Sequence, residues 1–377
     1  MLYLDWNASA PLAPEVVLAM RDALDTAWAN PASVHGPGRT ARAAVERARR
    51  ATAAFLHLDL RDVVLTSGGT EANNLAVRGA LARLTRDTGR PARGVVSAIE
   101  HPSVLRAFEA AQRDGVEVTT LPPDSTGRVP PEALEALLRD RDNSSTLVSV
   151  QAVNHETGVV QPIAEIAQIA ASAGAKLHVD AVQAAGKLDR ASWADADLIT
   201  ITAHKLRGPK GIGALATRCG IKLAPVLVGG AQERGLRPGT QDPLAAVGFE
   251  AALVRARSGP DRYARLAPLR AELEAGLVEL GGVVNGAGAP RAPHVTNVSF
   301  HARRWLGPEL VAALDLEGVA VSSGSACSAG TAEPSPVIAA SFGPERAASA
   351  VRVSLGDDAT ELDVVEALRV FSRVLGR

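Results

Sequence analysis

Between residues 93 and 217 the chain repeats one pattern, a short apolar β-prone run followed by a longer segment of helical periodicity. The runs are RGVVSAI (93–99), VEVTTL (116–121), TLVSVQAV (146–153), KLHV (176–179), DLITIT (197–202) and GALAT (213–217). A half-exposed strand alternates polar and apolar side chains; these runs are continuous, so both faces need covering. VLRAFEAAQRDG and IAEIAQIAASAG carry apolar positions at helical spacing, the second ending at a C-cap glycine, Gly174. VVLTSGGTEANNLAVRGAL adds a seventh strand, a Ser-Gly-Gly-Thr turn and a helix starting near Thr70. The alternation predicts an α/β fold, a mostly parallel seven-stranded sheet covered by helices.

Past about residue 255 the rhythm stops. A long helical stretch, DRYARLAPLRAELEAGLVEL, precedes NVSF, a Gly/Ser-rich segment, VRVSL and a last helix, LDVVEALRVFSRVL. We therefore expect a large domain over 15–255 and a smaller α+β domain made of 1–14 and 256–377.

Composition removes several classes of function. Lys and Arg number 40 against 41 Asp and Glu, without the basic excess that direct nucleic-acid binding needs. Aromatics are only 3%, too few for a base-stacking platform. No apolar run approaches the roughly 18 residues of a membrane span. The start, MLYLDWNASAPLAP, lacks the basic and apolar regions of a signal peptide, so a cytoplasmic protein is expected. Two cysteines, Cys219 and Cys327, do not make a disulfide framework, and no CxxC or Cys/His cluster has zinc spacing.

Ligands of open α/β sheets bind beyond the carboxyl ends of the strands. Here those ends deliver Glu100 and His101, then Asn154, His155 and Glu156, then Asp180 and Gln183, then His204 and Lys205. Each alone has an ordinary explanation. Lys205 could be a solvated lysine and His204 a satisfied loop histidine. Asp180 could cap a helix containing Val182 to Ala185, and SGGT could be an N-cap turn. Four strand ends converging on one edge make a site. A lysine held before the tight loop LRGPKGIG is desolvated and nucleophilic toward an aldehyde. Asp180 suits a protonated pyridine nitrogen, and the helix start after SGGT suits a phosphate. Lysine, acidic partner and phosphate cradle together are what pyridoxal 5′-phosphate (PLP) requires. GIGALA matches a dinucleotide pattern only loosely, since its glycines precede a strand, and no HExxH is present for a zinc hydrolase.

At this point the segments YLDWNASAPLAP, NPASVHGPGR, LTSGGTEANNLA, SAIEHPSVL, VNHETGVVQPI, HVDAVQAAGK, TAHKLRGPKGIG, GGAQERGLRPGT and VSSGSACSAG become recognisable. In that order they resemble the NifS/IscS-like cysteine desulfurases, class-V aminotransferases of PLP-dependent transferase fold type I. The resemblance implies Lys205 as the Schiff-base lysine and proton shuttle, and His101 stacked on the cofactor ring. It implies Asp180 on the pyridine nitrogen and Gln183 on the phenolic oxygen. Gly69, Thr70, Thr202 and His204 would hold the phosphate end, with Thr240 reaching in from the second subunit of a homodimer. Asn154 and Arg352 would bind the carboxylate of the L-cysteine substrate, the guanidinium supplying bidentate geometry.

Cys327 would be the nucleophile that takes the substrate's sulfur as a persulfide and delivers it to a protein acceptor, an iron–sulfur scaffold or a tRNA-thiolation protein. Its Gly/Ser/Ala surroundings read as a mobile delivery arm. Cys219 reads as structural or incidental. The chain departs from the family's pattern at Pro238, where serine is usual, at Thr202, which also replaces serine, and at DDAT after VRVSLG, which lacks a common arginine. The chain also ends soon after its last helix, without the longer tail some relatives use for docking. The alternatives are a selenocysteine lyase, another class-V aminotransferase, and a non-catalytic sulfur-transfer scaffold.

Overall fold

The fold is given by a computed structural model that describes residues 1–218, 221–300, 305–324 and 334–376. Cys219 and Cys327 lie outside the described residues. After a short strand β1 (Leu2–Tyr3) come the seven strands of the central sheet. They are β2 (Val63–Thr66), β3 (Arg93–Ser97), β4 (Glu117–Leu121), β5 (Thr146–Ser149), β6 (Lys176–Asp180), β7 (Leu198–Thr202) and β8 (Gly213–Thr217). Their spatial order is β2-β8-β7-β6-β5-β3-β4. Every residue of β2, β5, β7 and β8 is buried, which is why these runs are continuously apolar.

β4, β3, β5, β6 and β7 run parallel, whereas β8 is antiparallel to both β7 and β2. The reason is the connection: only the loop 203–212 separates β7 from β8, too short for the crossover a parallel neighbour requires. Because β2 and β7 are both antiparallel to β8, they point the same way. The end of β2 therefore opens onto the same edge as the ends of the parallel strands. The helix after β2 begins at Gly69 and continues to Thr88 through a π-helical turn at Leu75–Gly79.

A second apolar core gathers Leu4, Leu266, Leu273, Leu277, Phe300 and Phe371. It packs around β9 (Val283–Val284), β10 (Val295–Ser299) and β12 (Ala350–Ser354), with β11 (Val319–Ala320) parallel to β1. The single long helix expected here is two, Gly259–Ala264 and Leu266–Glu279. Pro268 explains the break, since its ring clashes with the carbonyl four residues earlier, that of Ala264.

One buried carboxylate ties these parts to the loop after Lys205. Asp357, with its side chain fully enclosed, takes Arg207 Nη1 at 2.7 Å, Arg255 Nη2 at 2.5 Å and Arg262 Nε at 3.1 Å. Arg207 is held in the left-handed region (φ 62), with its guanidinium 4.9 Å from the Trp6 ring centroid. Burial alone would raise the Asp357 carboxyl, but hydrogen bonds and charges from Arg255 and Arg207 outweigh it and hold it below the usual range.

Candidate active site

The strand ends and the N-terminal segment enclose a cavity of about 260 Å³. Nine residues expected from the sequence line it: Gly69, Thr70, His101, Asp180, Gln183, Thr202, His204, Lys205 and Arg352. Lys205 follows β7 in a tight turn, and its Nζ donates to Ala8 O at 2.7 Å and to Asn7 O. Residues 7–8 thus hold the lysine from across the site, and Gln183 Nε2 donates to the same Asn7 carbonyl at 3.0 Å.

Asp180 ends β6, and no helix follows it; the segment to Lys187 is a series of turns. Its Oδ1 accepts the backbone N–H of Val182 at 3.0 Å, while Oδ2 accepts Asn73 Nδ2 at 2.8 Å. Asn73 also donates to Ser103 Oγ at 2.9 Å. His101 Nδ1 accepts the Ser103 backbone N–H at 3.1 Å, so it carries no proton and the Ser103 hydroxyl, 2.8 Å away, donates to it as well. The neutral ring therefore keeps its proton on Nε2. Burial, then the neighbouring His155, lower the His101 pKa to about 4. Burial, then the charge of Lys205, lower that of His204 to about 3. Both imidazoles are neutral at pH 7.

The helix starting at Gly69, whose first two residues line the cavity, has no side-chain cap, so among the described residues its first N–H groups are unclaimed by any side chain. Gly68 has φ 149, a conformation that L side chains rarely adopt. Ser67 N–H bonds Glu71 Oε2 at 2.7 Å, and Glu71 pairs with Arg237 at 3.0 Å, fixing the turn from outside.

Two expected residues are not on the wall. Asn154 is fully buried, its Oδ1 accepting N–H groups of Glu156 (3.0 Å) and Thr157 (2.9 Å) and its Nδ2 donating to Ile99 O (3.1 Å). Thr240 is exposed and away from this cavity. The wall position belongs instead to His155, whose ring meets that of His101 edge-on at 5.3 Å. Arg352, on β12, donates to His155 O at 3.0 Å and pairs with Asp5 at 2.6 Å. Sequence reasoning placed His155 at a strand end without assigning it a role. It missed Asn7, Asn73, Ser103 and Gln151, although each lies in a segment already singled out: Asn7 in WNASAP, Asn73 in TEANNLA, Ser103 two residues after His101 and Gln151 in the run TLVSVQAV.

The donor set fits PLP. A buried carboxylate, an uncapped helix start and a lysine line the same cavity. Asn73 Oδ1 is a buried oxygen with no hydrogen-bond partner beside Asp180. Among the described residues no His, Cys, Asp and Glu group could hold a metal ion, and no helix is long and apolar enough to cross a membrane.

The chain belongs to the class-V aminotransferase family, whose profile matches residues 2–367. Within that family it is similar to cysteine desulfurases. The cysteine desulfurase IscS of Anaeromyxobacter dehalogenans is 41% identical, over 98% of this chain and 91% of the relative. A NifS-like protein from Rickettsia africae superposes with a TM-score of 0.88 at 30% identity, each chain covered fully. A structure of SspA in complex with cysteine has a TM-score of 0.79 at 31% identity, covering 94% of this chain and 99% of that one.

Proposed function

We propose that the protein is a PLP-dependent cysteine desulfurase. It converts L-cysteine to L-alanine and leaves the sulfur as a persulfide on Cys327 for transfer to an acceptor. The observation that carries this reading is the one cavity in which Lys205, Asp180, Gln183, His101 and Arg352 meet. The similarity to SspA, solved with cysteine, supports L-cysteine as the substrate.

When bound, PLP supplies an electron sink that loosens bonds at the substrate's α-carbon. Lys205 would hold it through its amine, and the same amine would move the proton at the substrate's α-carbon. Asp180, fixed by Asn73, would pair with the pyridine nitrogen and Gln183 with the phenolic oxygen. Thr70, Thr202, His204 and the N–H groups from Gly69 onward hold the phosphate. His101 holds a proton at Nε2 and would stack on the ring. Arg352 binds the substrate carboxylate, while Asn154 holds the turn that presents His155. The Cys327 thiolate attacks the substrate sulfur. A new S–S bond forms as the substrate's Cβ–S bond breaks, its electron pair staying with carbon, which takes up a proton to give alanine.

The described residues flanking Cys327 support this role. Ser322 pairs with Arg352 through both backbone groups, and Ser335 Oγ donates to Glu156 Oε2 at 2.6 Å beside His155. We assign residues 15–255 to PLP binding, and 1–14 with 256–377 to a smaller domain carrying Cys327. Thr240, exposed on its own subunit, suits a homodimer in which it completes the partner's phosphate site. The acceptor is a protein, an iron–sulfur scaffold or a tRNA-thiolation protein, and the enzyme works in the cytoplasm. The test is spectroscopic: purified wild type is yellow or becomes so with PLP, and Lys205→Ala loses the visible band. A wild type that PLP cannot colour contradicts the assignment.

A further inference from the structure

Among the described residues Lys187 is the one lysine that is fully buried, 3% exposed, and no step above uses it. It ends the run of turns after Asp180, and its Nζ donates to Gln183 Oε1 at 2.6 Å. The other end of that amide, Nε2, donates to Asn7 O at 3.0 Å, the carbonyl that also receives Lys205 Nζ. These two contacts admit one orientation of the amide. Turned over, its carbonyl would face the Asn7 carbonyl, acceptor against acceptor, and its NH₂ would face an amine.

We propose that Lys187 is a positioning residue that locks the Gln183 amide with an N–H turned into the cavity, toward the phenolic oxygen of bound PLP. This rests on the assignment of the cavity to PLP. Gln183 lines that cavity, and its Nε2 carries two hydrogens, of which Asn7 takes one. Burial first, then the charges of Lys205 and Arg352, push the Lys187 amine well below its ordinary pKa. Neutral or charged, an amine offers Gln183 an N–H, so the lock does not depend on its protonation. A donor on the phenolic oxygen stabilises the oxyanion and weakens its hold on the proton it shares with the lysine-bound nitrogen. Without the lock the amide carbonyl faces the oxyanion in part of the molecules, and that proton is held more tightly.

The test is a pH titration of the visible band of the holoenzyme. Lys187→Met keeps the unbranched apolar stem and removes the donor. Its midpoint is expected to rise by about one pH unit, the scale of one hydrogen bond to a charged group. Gln183→Leu is expected to raise it similarly, and the double variant no further than Gln183→Leu alone. Should Lys187→Met not fold, Lys187→Gln serves; its amide is one bond too short to reach Gln183, so the same rise is expected. A lysine that only fills space would leave the midpoint unmoved. An unmoved midpoint in a coloured variant, or a Lys187→Met shift that adds in full to that of Gln183→Leu, overturns this inference alone. A wild type without the band overturns the cofactor assignment and this inference with it.

Discussion

Gly213→Ala adds one methyl group behind the phosphate turn, and its effect follows from backbone distances. A Cβ at Gly213 meets Ile201 O at 2.8 Å and Gly68 Cα and C at 2.9 and 3.0 Å. Ordinary contact begins at 3.4 Å, so the methyl requires about half an ångström of movement. β7, which carries Ile201, is hydrogen-bonded on both sides within the sheet. Among the described residues the Ser67–Gly68 turn is tied by local bonds alone, through Thr66 Oγ1, Glu71 and the Ala72 N–H, so the turn is what yields. Overpacking of this kind costs about 1–3 kcal/mol. Here the displaced atoms lead directly into the helix start proposed to hold the phosphate. A shift of this size in a binding constellation weakens PLP binding by about ten- to a hundredfold. Apoenzyme titrated with PLP and followed at the visible band measures it, beside thermal unfolding of the apoprotein. A dissociation constant within about twofold of wild type would refute the reasoning, because it would mean the methyl is absorbed away from the turn.

Two further outcomes follow from buried charge. Asp357→Asn leaves Arg207, Arg255 and Arg262 around an uncharged group and is expected to cost about 3 kcal/mol at pH 7 in denaturant unfolding. Because the folded pKa of Asp357 is depressed, its contribution is present above the unfolded value of about 3.9 and is lost as pH falls through the folded value. The gap between wild type and Asp357→Asn should therefore narrow below about pH 4; a gap unchanged in acid contradicts the hub. His178 is completely buried between Ser149 Oγ and Thr200 Oγ1, and burial lowers its pKa to about 4. Unfolded histidine titrates near 6.5, so the unfolded chain binds more protons between those values and stability falls as pH drops from about 6.5 toward 4. His178→Asn should flatten that fall by about 1.4 kcal/mol per pH unit in urea unfolding, and an unchanged slope would show that His178 takes up no proton on unfolding.

The central sheet was legible because six of its seven strands are buried almost throughout, and burial is what continuous apolarity reports; only the edge strand β4 is largely exposed or half-buried. Strand direction was not, since hydropathy says nothing of it; β8 is antiparallel because of a short loop, not because of its own residues. The expected helix over 261–280 held its periodicity across Pro268, but sterics at one peptide divided it. The site was legible where a strand end puts a side chain on the sheet's edge, as with His101, Asp180 and Lys205. Asn154 and His155 are neighbours in one turn, and which of them faces the cavity depends on backbone dihedrals that the sequence does not display. Asn7 and Asn73 reach the site from segments distant along the chain, Asn73 lying 107 residues from the Asp180 it holds. Only the packed structure brings such residues together. Thr240, expected at the phosphate, is exposed and away from the cavity, and its proposed role calls for a second subunit.

The central claim is that sulfur passes from substrate to Cys327. Holoenzyme mixed with L-cysteine and no reductant, then assayed for alanine and for the intact mass of the protein, tests it most directly. We expect alanine together with a protein heavier by sulfur on the peptide that contains Cys327, reversed by a thiol reductant. Cys327→Ala should keep the visible band and give neither product. Alanine and released sulfur from Cys327→Ala at the wild-type rate would contradict the account.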